Sequence, residues 1–540
     1  MNARRRSFWG WGYEDQALGA EMQRQLGAMV VQRMGGRALD ATRPPTVDEI
    51  ELRPSRLSIP AALASICTSD KYERLAHTYG KSFRDIIRGL RRDFASAPDV
   101  VAFPANEQEL IDVLDWCVRA NAAAIPYGGG SSVVGGVEPA VGEGYAGTVS
   151  IDLRRFDRVL EIDRASRAAR IQAGVYGPAL EAQLKPHGLS LRHYPQSFEF
   201  STLGGWIATR SGGHYATLYT HIDEFVQALR VVTPRGVCES RRLPASGAGP
   251  NPDRLFIGSE GTLGIITEAW MRLQARPTFR SSAAVRFVDF LAGTRAVRAL
   301  AQSGLYPANC RLLDAREAQD SGVHDGSSAV LLLGFESADH PTEAAMQRAL
   351  ECCADHGGEY DAEKVKHRAG EGERAEAADA WRNAFFRAPY IRDALAGLGL
   401  IVETFETAVT WDRFEVFHAA VMDAATRAID EICGPGGWIT CRFTHAYPDG
   451  VAPYYTIKAP GGKGQELEQW DRIKAAVSDA LVRHGGTITH HHAVGRDHRP
   501  WYEQERPPLF AEALAAAKAA LDPAGILNPG VLLAPRRGLA

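Results

Sequence analysis

The chain has 540 residues, more than one hydrophobic core organises, so two or three domains are expected. Its 61 Lys and Arg nearly balance 65 Asp and Glu, leaving a net charge of −4 and none of the global basic field that nucleic-acid binding needs. The longest apolar runs, 329–335 and 398–402, fall far short of the roughly 20 residues of a membrane span.

Residues 1–95 read as helical and linker-rich. Apolar spacing predicts a helix over 18–34, Pro44, Pro45, Pro54 and Pro60 interrupt the stretch after it, and 72–94, studded with Arg, predicts a surface helix. Arg5-Arg6-Ser7-Phe8 has the look of a twin-arginine export signal, but Trp11-Gly12-Tyr13-Glu14-Asp15 stands where the apolar segment belongs, so a cytoplasmic location is expected. The eight Cys show no C-x-x-C spacing and read as reduced thiols.

The texture changes at Pro98. A strand at 100–103 precedes a helix at 106–120, with Glu107 and Glu109 in its first turn and Leu110, Val113, Leu114 and Cys117 as its apolar stripe. A strand at 122–126 then runs into Tyr127-Gly128-Gly129-Gly130-Ser131-Ser132, and strands at 148–153 and 170–173 come next. From 276 the pattern alternates: strand 283–288, helix 293–303, strand 329–335, helix 342–356. Residues 363–380, charged and Ala-rich, predict an exposed helix; a strand–helix–strand spans 400–443; and an Ala-rich helix at 507–521 ends in Asp522-Pro523-Ala524-Gly525. The class is α+β.

Three consecutive glycines after a strand expose backbone N–H groups that can fold into an anion cradle, with Ser131 and Ser132 as added donors. Alone, such a run also suits an ordinary turn. Two further segments, 199–213 with Gly204-Gly205 and Gly212-Gly213, and 258–264 leading into Ile265-Ile266-Thr267, supply enough Gly, Ser and Thr to line one long dianionic ligand. Arg210 offers a fixed charge for a pyrophosphate or an electron-rich ring edge. The G-x-G-x-x-G fingerprint is missing, so NAD in a Rossmann fold is not expected.

These loops resemble the FAD-contacting loops of the vanillyl-alcohol-oxidase/PCMH flavoprotein superfamily. The resemblance implies a PCMH-type FAD-binding domain at 96–275 after the helical segment 1–95, a cap or substrate domain at 276–505, and a C-terminal helix, 506–540, returning to the FAD domain. It assigns FAD contacts to Pro126, Tyr127, Gly128, Gly129, Gly130, Ser131, Ser132, Gln196, Ser197, Ser201, Thr202, Gly205, Thr209, Arg210, Ser211, Gly212, Glu260, Gly261, Thr262, Gly264 and Ile266. Covalent members carry His or Cys at the end of the first loop; Ser131 and Ser132 stand there, so the FAD is expected to be non-covalent.

Within the superfamily, the segments 9–15, 51–55, 198–206, 232–236, 390–393, 403–407, 411–413 and 490–495 resemble the alkyldihydroxyacetonephosphate synthase branch. The family reaction replaces the acyl group of acyl-dihydroxyacetone phosphate with a long-chain alcohol, with the flavin as an electrophilic handle and no net redox change. The implied partners are the lipid substrate, the fatty alcohol, a second copy of the chain in a homodimer and, peripherally, a membrane.

His490-His491-His492 is the most unusual cluster. A loop or an incidental metal binder is the plain reading; histidine also suits proton transfer near neutral pH. Residues 486–489 read as a strand, which would put His490 and His492 on one face and His491 on the other. The resemblance places these histidines and Tyr454 in the active site, where the plain reading of Tyr454 is a core or surface Tyr; Tyr455 would point the other way on a strand, and His193, shortly before the second loop, is a further pocket candidate. It sets Arg311 and Arg392 on the substrate phosphate; their plain alternatives are ion pairs with Asp314 and Asp393. Gln196 departs from the acidic residue of the family. The alternatives are an FAD-linked oxidase of a 2-hydroxyacid or alcohol and a non-catalytic FAD-binding protein. The metal-dependent oxidases carry His-x-x-Asp-Gly-x-x-His and a Glu beside His-Gly. Around Asp449-Gly450 the flanking positions hold Ala446 and Pro453, and His491 takes the place of the Glu, so no metal is expected.

Overall fold

A computed structural model describes residues 4–33, 41–219, 221–370 and 376–534. Three sheets carry the architecture. In the first, Val100–Ala102, Gly147–Asp152 and Ala122–Tyr127 run parallel, with Cys67–Thr68 antiparallel at one edge. The helix Glu107–Ala120 begins where the Asn106 side chain accepts from the Glu109 N–H, and its stripe of Leu110, Val113, Leu114 and Cys117 is buried. Ile526 and Leu527, beyond the helix Pro508–Leu521, join the same core, and the Ala124 N–H donates to the Ile526 carbonyl.

The second sheet is antiparallel, in the order Val159–Asp163, Ala168–Gln172, Ile265–Arg272, Val226–Thr233, Gly236–Glu239. The third has eight strands: Lys366–Ala369, Phe279–Phe287, Ala329–Ser337, Asn309–Leu313, Trp438–Ala446, Gly450–Pro460 and Leu400–Glu406 in order, with Val409–Thr410 beside Gly450–Pro460. Alternation sorts its residues. Cys310, Leu312, Phe405, Cys441, Phe443 and Tyr455 lie in the core that Phe414 and Phe417 of the helix Trp411–Cys433 cover. Arg311, Arg442 and Tyr454 therefore stand on the opposite face. Arg442 pairs directly across from Tyr454, and Tyr454 from Glu406, so three polar residues form one row over three strands.

Three expectations are corrected. Residues 72–94 form two helices, Lys71–Ala76 and Phe83–Leu90, and they are buried rather than on the surface. Phe83, Ile86, Ile87 and Leu90 pack into the third sheet's core, and the arginines between them pair with acids: Arg84 with Asp497, Arg88 with Glu138. The break comes at Gly80, where a Cβ would stand 2.2 Å from the Ser132 carbonyl oxygen, so the helix pair is pressed against the first glycine loop. Within 363–380, Lys366–Ala369 is an edge strand paired with Phe279–Phe287, and helix resumes at Glu376–Gly397; 371–375 lie outside the described residues. Residues 486–489 form no strand. Cys238 is half-buried and the other seven cysteines are buried, and no disulfide joins any of them.

Candidate active site

The strand Ala122–Tyr127 delivers Gly128–Gly130 to a cavity between the first two sheets and the third. A Cβ on Gly129 would lie 1.9 Å from the Phe200 carbonyl oxygen; one on Gly130, at φ +66°, would lie 1.9 Å from the Tyr127 hydroxyl. Side chains are excluded there, so the loop offers bare backbone. Ser131 and Ser132 continue the wall, and Gln196, Ser197, Ser201, Thr202, Gly205, Thr209, Ser211 and Gly212 line it from the other side. Among the described residues no Asp or Glu lines this cavity, whereas Arg311, Arg392 and Arg442 do. Backbone amides, hydroxyls and guanidinium groups fit a ligand carrying a pyrophosphate.

Several expected contacts lie behind the wall. Pro126 packs on Gly261, and the Tyr127 hydroxyl donates to the Ala76 carbonyl. Gly264 sits against Val231, Ile266 is in the second sheet's core, and the Thr262 hydroxyl donates to the Ser259 carbonyl. His193 is buried, 2.8 Å from the Ser211 hydroxyl, and reaches the cavity through it. Arg210 is a correction: it ends the helix Leu203–Thr209 at φ +52°, which turns its side chain out to pair with Asp223 at the rim of a second, outer cavity. Its charge is spent on Asp223.

The third sheet supplies the opposite wall. Tyr454 faces the cavity and Tyr455 the core. The Arg442 guanidinium covers the Tyr454 ring at 3.9 Å and pairs with the buried carboxylate of Glu317. Burial raises the Tyr454 phenol, and the Arg442 charge opposes that rise. A bulge between Phe443 and His445 brings His445 beside Thr444 onto the cavity face. Arg392 has Asp393 as its ion-pair partner at 2.9 Å. Asp314 caps the helix Ala315–Asp320 and leaves Arg311 alone. Among the described residues Arg311 meets no carboxylate: one Nη donates to His214, its Nε has no partner, and burial, then Arg442, push its pKa down to about 9. Two adjacent buried guanidinium groups facing one cavity make a site for a dianion.

The His490–His492 backbone wraps a carboxylate. Glu406 accepts the N–H groups of His490, His491 and His492 at 2.6, 3.0 and 2.9 Å and meets the His491 and His492 rings at 3.2 and 3.6 Å. Burial works to raise the Glu406 carboxyl, but the His491 and His492 contacts outweigh it and hold it well below the usual carboxylate range. Two residues on, the Val494 and Gly495 N–H groups donate to Glu260, whose carboxyl burial pushes up to about 7 against those two bonds. Two carboxylates, one from each half of the molecule, thus fix the loop. His491 and His492 face the glycine-lined cavity; His490 faces the outer one. Burial lowers His492 to about 3. Nitrogens of His445, His490 and His491 lie within 4.8 Å of one another, yet protein partners engage them: His445 Nε2 donates to the Gly213 carbonyl, and His490 bonds Tyr447 and His491.

Residues 98–240 match the family described as FAD binding domain, and 276–532 that described as FAD linked oxidases, C-terminal domain. The chain is 34% identical to the alkyldihydroxyacetonephosphate synthase of Dictyostelium discoideum, over 86% of this chain and 78% of that one. It belongs to the alkyldihydroxyacetonephosphate synthase family. A solved alkyldihydroxyacetonephosphate synthase superposes with a TM-score of 0.78 at 28% identity, over 97% of this chain and 98% of that one. A glycolate oxidase subunit of Bacillus subtilis is 29% identical over 82% of this chain and 90% of its own length. Both matched domains are those of FAD-linked enzymes, and FAD is the cofactor of this synthase-family chain.

Arg442, Glu406, His445 and Tyr447 escape sequence reading as parts of this site. The signal was present for two of them: Arg442 is the one charge in the nine-residue buried strand Trp438–Ala446, and Glu406 is one of two acids, with Glu403, in the strand Leu400–Glu406.

Proposed function

We propose that this protein is an FAD-dependent alkyldihydroxyacetonephosphate synthase, exchanging the acyl group of acyl-dihydroxyacetone phosphate for a long-chain alcohol. The observation that carries the reading is Arg311, a buried arginine without a counter-ion, beside Arg442 on the cavity face that also presents Tyr454, His491 and His492. A phosphate would supply the counter-ion that Arg311 lacks, beside Arg442, and place the adjoining carbons near the phenol and imidazoles. The glycine loop, Ser197, Ser201 and Thr202 hold the FAD. Bound there, the flavin supplies an electron-poor ring system without net oxidation of the substrate.

The rest is the work of this chain. Arg311 and Arg442 orient the phosphate, and Arg392 closes the cavity wall beside them. Tyr454, His491 and His492 move the proton between substrate carbon and solvent, and His193 orients Ser211. A third cavity shares Val133, Phe385, Arg392, Arg442, Tyr454 and His492 with the glycine-lined one. Beside the charged Glu403 and Lys474 it has an apolar stretch of Phe83, Trp381, Leu395 and Val402 that suits the long chain. Among the described residues no helix is long and apolar enough to cross a membrane, while Leu509 and Phe510 stand exposed at the start of the helix Pro508–Leu521. These features support peripheral membrane contact. The reading includes a cytoplasmic homodimer, checked by ultracentrifugation.

Anaerobic incubation of the yellow protein with acyl-dihydroxyacetone phosphate and a fatty alcohol tests the reaction. Ether product without flavin bleaching is the expected outcome; bleaching by a 2-hydroxyacid with no ether product would overturn it.

A further inference from the structure

The glycine-lined cavity and the outer cavity, of about 990 Å³, meet at Thr209, which lines both. His491 lines the first, while His490 and Tyr447 line the second. His491 Nδ1 lies 3.0 Å from His490 Nδ1, and His490 Nε2 lies 2.9 Å from the Tyr447 hydroxyl. We propose that His491, His490 and Tyr447 form a proton relay that carries a proton from the active-site cavity to the solvent of the outer cavity.

The proposal rests on the synthase reading for its need. Ester plus alcohol gives ether plus a carboxylic acid that ionises at neutral pH, so each turnover must discharge one proton. The chain of bonds accounts for it atom by atom. His491 Nε2, which has no protein hydrogen bond among the described residues, takes the proton; Nδ1–H of the same ring passes its own to His490 Nδ1. His490 Nε2–H passes one to the Tyr447 oxygen, and the Tyr447 O–H releases one to water. One proton enters, one leaves, and each ring is left as its other tautomer. Burial keeps His490 neutral and able to do this, since its pKa is held well below the ordinary value. Glu406 Oε2 lies 3.2 Å from the same His491 Nδ1, slightly farther than His490 Nδ1 at 3.0 Å, and steadies the entry ring as a proton passes. The other titratable or charged neighbours are His445 at 5.0 Å and His221 at 5.6 Å from the His490 ring, with Asp223, Asp449 and Arg210 acting on Tyr447. The Tyr447 oxygen has no carboxylate hydrogen bond among the described residues that would divert the proton.

Tyr447→Phe keeps the ring and removes the exit. With the FAD-loaded enzyme in dilute, bulky buffer, kcat for ether formation is expected to fall about tenfold with KM unchanged, and added imidazole to restore it. A kcat that does not fall, or a fall that no small buffer repairs, overturns the relay. Should wild-type enzyme make no ether, the synthase reading fails, and the relay is read from ¹⁵N-histidine NMR instead. There Tyr447→Phe must move the His490 ring nitrogens away from the Nε2–H pattern and slow solvent exchange of the His491 Nδ1 proton; unchanged spectra overturn the relay independently.

Discussion

The guanidinium carbon of Arg442 lies 3.9 Å from the centroid of the Tyr454 ring, on neighbouring strands in direct register. The same arginine is the ion-pair partner of Glu317 in a buried setting. Arg442→Met therefore strands a carboxylate, and stability should fall by about 3–5 kcal/mol. Adding Glu317→Gln should return most of that loss, while kcat stays down because the charge that most opposes the upward push of burial on the Tyr454 phenol is gone and only the Thr404 hydrogen bond still opposes it. Thermal melts and turnover of the single and double variants separate the two effects.

Glu406 tests whether the histidine loop needs its carboxylate. Gln offers one oxygen where Glu406 accepts three backbone N–H groups, and its amide N–H₂ would confront at least one of them. Glu406→Gln should cost roughly 1–3 kcal/mol of local order. Turnover should drop about a hundredfold, the scale of a misplaced proton-transfer group, with the flavin absorbance intact. Loss of flavin instead would recast this contact as part of the cofactor site.

Arg311 separates phosphate binding from chemistry. Replacing it by Met fills the volume beside Trp381 and Phe385 without the charge. Charge-assisted bonds of this kind contribute about 1.5–3 kcal/mol, so KM for the phosphorylated substrate should rise ten- to a hundredfold. Inorganic phosphate should compete weakly with this substrate on the wild type and lose that inhibition in the variant. Unchanged KM and inhibition would place the phosphate elsewhere.

Much of this arrangement is legible locally. The glycine run, the breaker after the last helix, and the alternation that sends Tyr454 and Tyr455 to opposite faces come from a few adjacent residues. What escaped was set by distant ones. The histidine segment reads as a strand because Thr487-Ile488-Thr489 favours one, yet it is bent around Glu406, some 84 residues earlier. The arginines of 72–94 suggest a surface, but Asp497 and Glu138 neutralise them inside. Arg210 suggests a phosphate ligand, and Asp223 takes its charge.

His193 gives the protein an acid limit. Burial first, then the His221 ring, push its pKa to about 3 against an ordinary value near 6.5, with Asp223 opposing. Between those values the unfolded chain binds a proton that the folded one refuses, so stability rises with pH there. This contribution is complete above about pH 6.5 and is lost as the pH falls toward 3. Melting temperature should decline on acidification below 6.5, and His193→Gln should flatten that slope. A variant with the wild-type slope would remove His193 from the account.

Gly129 is where cofactor binding can be broken without touching the chemistry. Its missing Cβ would stand 1.9 Å from the Phe200 carbonyl oxygen, a backbone atom that cannot step aside as a flexible side chain could. Gly129→Ala must therefore push the 128–132 loop or the 197–202 turn, and those two segments form facing walls of the cavity. The third sheet has its own core under Phe414 and Phe417 and does not depend on that contact. The variant is expected to purify folded but colourless, with circular dichroism close to wild type, and to regain little absorbance near 450 nm on incubation with FAD. Full flavin content in Gly129→Ala would show that the glycine run is a turn alone and that the pyrophosphate rests elsewhere on the wall.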